Sequence, residues 1–186
     1  MEILKGNTLV GSNPTRGRVE NDYYATPEES TKALLERENI IYPAWECACG
    51  QGHIAKLLSG MVVASDIVDR GYGDVADFLQ SNGKNVATII TNPPFNLFQE
   101  FAEKALEIAT HKVILFGKLQ ALEGQKRATF MQNSPLRTVY VFKARQNPLR
   151  NGSPLDENGK PWASTMAFAW FVWEKGYIGK PQIEWL

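Results

Sequence analysis

The chain has 186 residues, 44% of them hydrophobic, with 20 basic and 20 acidic side chains and a formal net charge of zero. That is ample apolar material for one packed domain, and it excludes a disordered chain and a protein that holds nucleic acid by bulk charge alone. No uninterrupted apolar run approaches the ~18 residues of a membrane-spanning helix. The charge is unevenly placed: residues 1–111 carry 9 Lys/Arg against 15 Asp/Glu, whereas residues 112–186 carry 11 against 5. A basic face in the C-terminal part and an ordinary set of solvated lysines are both compatible with that. Met1–Val10 lacks the basic-then-apolar layout of a signal peptide, so a cytoplasmic location is expected.

In chain order, residues 1–22 are polar and rich in Gly, Asn and Arg, which predicts an irregular lead-in, with one domain over 23–186. "TPEESTKALLERENI" opens a helix: Thr26 can cap, Pro27 suits the first helical position, and Glu28 and Glu29 complement the dipole, with Ala33, Leu34 and Ile40 facing inward. "PAWECACG" predicts a short strand into a glycine turn, "HIAKLLSG" a continuing helix, and "MVVASDI" and "NVATIITNPP" buried strands. "LFQEFAEKALEIAT" is an amphipathic helix and "KVILFGK" another strand; residues 121–132 predict a helix with a glycine near its start. "RTVYVFKA" and "TMAFAWFVWEKG" are long strands, and the Gly/Pro/Asn loop between them is too short for a packed crossover helix. Alternating strands and helices with apolar strands predict an α/β fold, a parallel sheet with helices on both faces, closed by an antiparallel hairpin at its edge.

In such a sheet, ligands bind beyond the carboxyl ends of the strands. The first strand ends at Glu46, followed by Gly50 and Gly52, which let the backbone approach a ligand and start a helix with free N–H groups. The pattern is not G-x-G-x-x-G, since position 55 is alanine, so a dinucleotide reading is strained. Asp66 ends the second strand fourteen residues after Gly52, the place of a carboxylate gripping ribose hydroxyls, with a helix cap or solvated acid as the plainer alternative. Asp77–Phe78 puts an acceptor beside an aromatic surface, suited to a nucleobase with an exocyclic amine. In "TNPPF", Pro93 and Pro94 remove two N–H donors and stiffen the corner. Asn92 and a proline carbonyl could accept both hydrogens of an –NH2 group while Phe95 stacks on the ring that carries it. Cys47 and Cys49, with His53 four residues on, are too few ligands for a structural zinc, so no metal is expected.

"ECACGQG", "SDI", "DFL" and "TNPPF", in this order, resemble the class I S-adenosylmethionine-dependent methyltransferases, and within them the adenine-N6 enzymes of phages and bacterial restriction-modification systems. "DYYATP" resembles the segment that in those enzymes precedes the first helix and touches the methionine part of the cofactor. The resemblance covers roughly residues 22–175; the asparagine-proline-proline-aromatic motif is its specific element. It implies a Rossmann-like fold with a mostly parallel, seven-stranded sheet and S-adenosyl-L-methionine as cofactor. By the same resemblance, Glu46, Cys49, Gly50 and Gly52 would surround the methionine moiety, Asp66 the ribose, and Asp77 and Phe78 the adenine. Tyr24, Thr26 and Pro27 would close the cofactor site. Asn92, Pro93, Pro94 and Phe95 would form the methyl-acceptor pocket, with Asn92 also bordering the cofactor. Transfer would be direct, with neither cysteine a nucleophile. This sequence departs from the pattern in lacking a segment long enough for a separate target-recognition domain, and in having phenylalanine where tyrosine is common.

Two segments could hold phosphates: Lys118, Lys126 and Arg127 after a strand end, and Lys143, Arg145 and Arg150 in the long loop with Asn147 and Asn151, with Trp162 as a stacking residue. A loop without a partner is the alternative. The expected partner is nucleic acid, DNA first, with a homodimer as candidate assembly and no membrane. Three other readings stay open: an RNA adenine or a protein glutamine amide as acceptor, a cofactor-binding module that masks DNA without turnover, and an NAD-dependent enzyme.

Overall fold

The computed structural model describes residues 23–83, 85–156, 158–161 and 165–186; the expected lead-in and Trp162 lie outside the described residues. In chain order the elements are β1 (Tyr24–Ala25), α1 (Glu28–Leu35), β2 (Ala44–Glu46), β3 (Val62–Asp66), β4 (Asp74–Val75), β5 (Thr88–Thr91), α2 (Phe98–Ile108), β6 (Lys112–Lys118), α3 (Gln125–Asn133), β7 (Leu136–Val141), β8 (Leu149–Arg150), β9 (Phe168–Glu174) and β10 (Gln182–Trp185).

Eight strands form one sheet in the order β10-β7-β9-β6-β5-β2-β3-β4. All neighbours are parallel except β9, which runs antiparallel to both β6 and β7. The chain starts at the centre with β2, steps outward to β3 and β4, and returns to the other side of β2 with β5. The strand order therefore reverses between β2 and β5, and a crevice opens there beyond their carboxyl ends.

Period-two burial shows why these segments are central strands. In β6, Val113 and Leu115 face one apolar cluster and Ile114 and Phe116 the other; in β9, Ala169, Phe171 and Trp173 alternate with Phe168, Trp170 and Val172. Both faces need cover. The amphipathic α2 supplies one with Phe98, Phe101, Ala102 and Ala105, joined by Met131 of α3, and α1 supplies the other through Leu34. Each fully buried Phe or Leu contributes roughly 1.5–3 kcal/mol against staying exposed. Trp170 and Trp173 are packing residues whose indole N–H groups donate to the Ser30 carbonyl and the Ser134 hydroxyl, each at 2.9 Å.

Several local expectations are corrected. The hairpin does not end the sheet: β9, apolar on both faces, lies inside it, and β10 adds an eighth strand at the edge beside β7. "HIAKLLSG" makes only a three-residue 3-10 turn, Ala55–Leu57. The Glu46 carboxylate holds the Ala55 N–H at 2.7 Å, and Leu58 is already extended towards β3. At α1 the capping position belongs to Pro27, whose carbonyl accepts the Ser30 N–H, and Thr26 makes no cap.

Candidate active site

The crevice between β2 and β5 encloses about 170 Å³. The strand-end segments Glu46–Cys49 and Asp66–Ile67, the 76–79 segment, and Asn92 with Pro94 build its walls, and Tyr23–Thr26 crosses it. Of the predicted site residues, Tyr24, Thr26, Glu46, Cys49, Asp66, Asp77, Phe78, Asn92 and Pro94 meet here. Pro27, Gly50, Gly52, Pro93 and Phe95 stand just behind or beside that wall.

The amides of the glycine turn are already engaged. Gly50 N–H donates to Asp66 Oδ2 at 2.8 Å, Gln51 N–H to the Tyr23 hydroxyl at 3.3 Å, Gly52 N–H to the Cys49 carbonyl at 2.7 Å, and Ala55 N–H to Glu46 Oε2. The helix N-terminus expected to offer free N–H groups is therefore not there, and a pyrophosphate finds none of these four amides vacant. The glycines are needed for conformation and closeness: Gly50 and Gly52 have φ of +52° and +78°, and a methyl group on either would run into the rings of Tyr23 and Tyr72 respectively.

Asp66 is 9% exposed and accepts the Gly50 and Val68 N–H groups, leaving each oxygen a further lone pair at the cleft. Burial pushes the Glu46 carboxyl well above the ordinary carboxylate range, against the lowering effect of the Ala55 and Ile54 amides. Burial likewise raises the Cys47 thiol far up and the Cys49 thiol to about 12, with the neighbouring acidic groups Glu46 and Asp66 adding to it. Both thiols are therefore protonated at neutral pH, unsuited to nucleophilic attack. Asp77 caps the next turn, accepting Leu79 N–H at 3.0 Å, and Phe78 is a core ring packed on Trp45 and Phe101 whose edge reaches the cleft.

At the end of β5, Asn92 Nδ2 donates to the Tyr24 carbonyl at 2.6 Å. A carbonyl can only accept, so this bond fixes which end of the amide is nitrogen and leaves Oδ1 as the acceptor. Phe95 stacks on Tyr24 (centroids 5.7 Å apart, 27° between planes), leans on Phe168 at 5.5 Å, and has Lys118 Nζ 4.8 Å from its centre. The motif's ring is thus part of an aromatic cluster rather than standing alone.

Tyr24 and Ala25 pair antiparallel with Arg150 and Leu149, so the long loop is laced to the segment crossing the cleft. Asn151 N–H donates to the Tyr23 carbonyl, and Ser30 Oγ to Gln146 Oε1 at 2.6 Å. Arg150 thereby lies opposite Tyr24 and Lys118 beside the Phe95 ring, neither of them lining the cleft itself, and the exposed Arg145 bonds the Thr165 carbonyl. Lys126 and Arg127 lie exposed on α3, away from the cleft wall; Arg127 turns back to the Glu123 carbonyl. Sequence reasoning missed Tyr23, His53 and Arg70 at the cleft. Burial, then the Lys56 charge, lowers the His53 ring below its ordinary value. Arg70 lies over the Tyr23 ring at 4.1 Å.

No protein-family model matches the chain, and no curated protein sequence does either. Solved structures do match. A Listeria monocytogenes protein described as a class I S-adenosylmethionine-dependent methyltransferase superposes with a TM-score of 0.55 at 14% identity, over 87% of this chain and 65% of that one. A Vibrio vulnificus YJ016 protein described as the modification subunit of a type I restriction enzyme gives 0.53 at 11%, over 86% and 45%. The fold is that of the class I methyltransferases. A DrdV–DNA complex gives 0.58 at 10% identity, over 94% of this chain and 28% of that chain. The chain thus spans less than two thirds of each of these three structures.

Asp66 and Asp77 line the cleft, and Thr26 Oγ1 is buried in the crossing segment without a hydrogen-bond partner.

Proposed function

We propose that this protein transfers the methyl group of S-adenosylmethionine to an exocyclic amine, adenine N6 in DNA, as a modification enzyme of phage or restriction-modification type working in the cytoplasm. The observation that carries this reading is the Asn92 amide, locked by the Tyr24 carbonyl so that its oxygen is the acceptor at the crevice between β2 and β5. When bound, the cofactor supplies an electrophilic methyl on sulfonium. Glu46, Cys49 and Thr26 would border its methionine part, Asp66 the ribose hydroxyls, and Asp77 with the Phe78 edge the base. Asn92 Oδ1 and the Pro93 carbonyl would each accept one hydrogen of the substrate amine, holding the nitrogen still and drawing its lone pair away from the ring. The Tyr24–Phe95 pair would flank the acceptor ring, with Lys118 and the 145–150 loop against the backbone that carries it. The DNA complex and the modification subunit among the similar structures support a nucleic-acid substrate.

The test is transfer of labelled methyl from S-adenosylmethionine to unmethylated genomic DNA, with nucleoside digestion and Asn92→Ala as control. Label is expected in N6-methyladenine, with Asn92→Ala slowed at least about a hundredfold and its cofactor affinity within a few-fold of wild type. Near-normal turnover by Asn92→Ala would remove the pocket assignment. Label in RNA or protein would replace DNA as acceptor. Binding without any transfer would make this a masking module.

A further inference from the structure

The charged groups of the cleft have a composition that the methyl-acceptor chemistry does not explain. Among the described residues its wall carries two carboxylates, Asp66 and Asp77, the carboxyl of Glu46, which burial keeps protonated, and one guanidinium, Arg70. Arg70 follows Asp66 by four residues in the loop after β3. Its position is set from one side: the guanidinium lies over Tyr23 at 4.1 Å, and the Tyr23 hydroxyl is held by Gln51, accepting its N–H and donating to its Oε1, both at 3.3 Å. Nε of Arg70 is buried and has no hydrogen-bond partner. A buried, unpaired donor of a charged group is costly to leave unsatisfied, and a planar carboxylate is the acceptor a guanidinium matches best.

We propose that Arg70 is a specificity-determining residue that reads the α-carboxylate of the amino-acid tail on a nucleoside thioether or sulfonium. This rests on the cofactor reading given under Proposed function and goes beyond it by assigning recognition of the tail's anionic end. The groups agree: a ligand with an amine, one carboxylate and a polar sugar finds the Glu46 carboxyl oxygen as an acceptor for the first, one cation for the second and Asp66 for the third. Tyr23 is the backstop, a ring whose π-face keeps the guanidinium in place.

Isothermal titration calorimetry with three ligands tests this without turnover: S-adenosylhomocysteine, its decarboxylated counterpart, and 5′-methylthioadenosine, which lacks the amino-acid part. Wild type should bind S-adenosylhomocysteine at least about tenfold more tightly than the decarboxylated compound. Arg70→Gln should lose that preference, weakening S-adenosylhomocysteine by about tenfold or more while shifting methylthioadenosine less than twofold. Arg70→Lys should recover part of the preference, since charge returns without the planar fork. Equal weakening of all three ligands by Arg70→Gln would reduce Arg70 to a support for Tyr23, and an unchanged affinity for S-adenosylhomocysteine would overturn the assignment outright. Wild type that binds none of the three would overturn the cofactor reading itself, and this inference with it.

Discussion

Replacing Glu38 by glutamine is expected to lower the melting temperature by about 6–12 °C without touching the site. Glu38 is 5% exposed at the end of the sheet opposite the crevice. Its carboxylate takes Lys112 Nζ at 2.8 Å, the Tyr140 hydroxyl at 2.7 Å and the Arg137 guanidinium. Glutamine keeps the shape but leaves a nearly buried ammonium and a half-buried guanidinium uncompensated. Removing one partner of a buried ion pair costs about 3–5 kcal/mol. Glu174 lies 3.0 Å from Arg137 Nε and 3.9 Å from Lys112 Nζ and offsets part of this, so the lower end, about 3 kcal/mol, applies. At about 2–4 °C per kcal/mol for a chain of this size, the stated drop follows. Scanning calorimetry at pH 7.5 is the assay. Glu38→Gln/Lys112→Met should recover at least half the loss, because the stranded ammonium is gone. Cofactor affinity should stay within twofold, since Lys112 opens the strand that ends at Lys118. A single variant melting within about 2 °C of wild type, or a double variant melting below the single, would refute the uncompensated-charge account. Burial raises the Glu38 carboxyl, but the Lys112 and Tyr140 hydrogen bonds and the Lys112 and Arg137 charges outweigh it and hold it below the ordinary 4.5. A depressed folded value contributes stability above 4.5 that is lost as pH falls through that value. The gap between wild type and Glu38→Gln should therefore close in acid.

Glu46 should behave in the opposite sense. Burial holds its proton in the folded state, so the fold loses stability as pH rises above the ordinary 4.5, where the unfolded chain ionises freely. Glu46→Gln, which still accepts the Ala55 N–H, should melt above wild type at pH 8 and level with it at pH 4; equal melting at both would show that Glu46 is not held protonated. Cys47 and Cys49, buried and with raised thiol pKa values, should resist iodoacetamide at pH 8 in the folded protein and react once it is unfolded, as mass spectrometry of the two states reads directly. Fast labelling of native protein would contradict their placement.

The strands and the proline corner after β5 were legible in the sequence because they depend on local rules. Apolar runs of β-branched and aromatic residues bounded by Gly and Asp read as buried strands, and paired prolines after an asparagine at a strand end can do little else but turn. Glu38, Lys112, Arg137 and Glu174 were invisible for the opposite reason: they lie far apart in the chain, and a lone charge reads as solvated until the fold joins them. Arg70 and Tyr23 sit in segments without periodicity, so only the closing of the loop after β3 against the lead to β1 brings them together. β10 escaped notice because an edge strand needs one neighbour only, and Ile183 and Trp185 stay 55% and 57% exposed. The helix foreseen after the glycine turn stops at Ala55–Leu57 because the chain is already extended at Leu58 on its way to β3.

Because β9 returns between β6 and β7, Val141 and Phe168 both open at the end of the sheet where Lys118 and Asn92 stand. The segment joining them leaves and re-enters the sheet at one end, so lengthening its exposed part around 158–160 is expected to leave the registers of the sheet in place. One stretch is not free to vary in this way. Leu149 and Arg150 tie down Tyr24, and Tyr24 orients the Asn92 amide. A transplanted loop that omitted those two residues would alter what the surface meets and also loosen the atom on which the proposed chemistry turns.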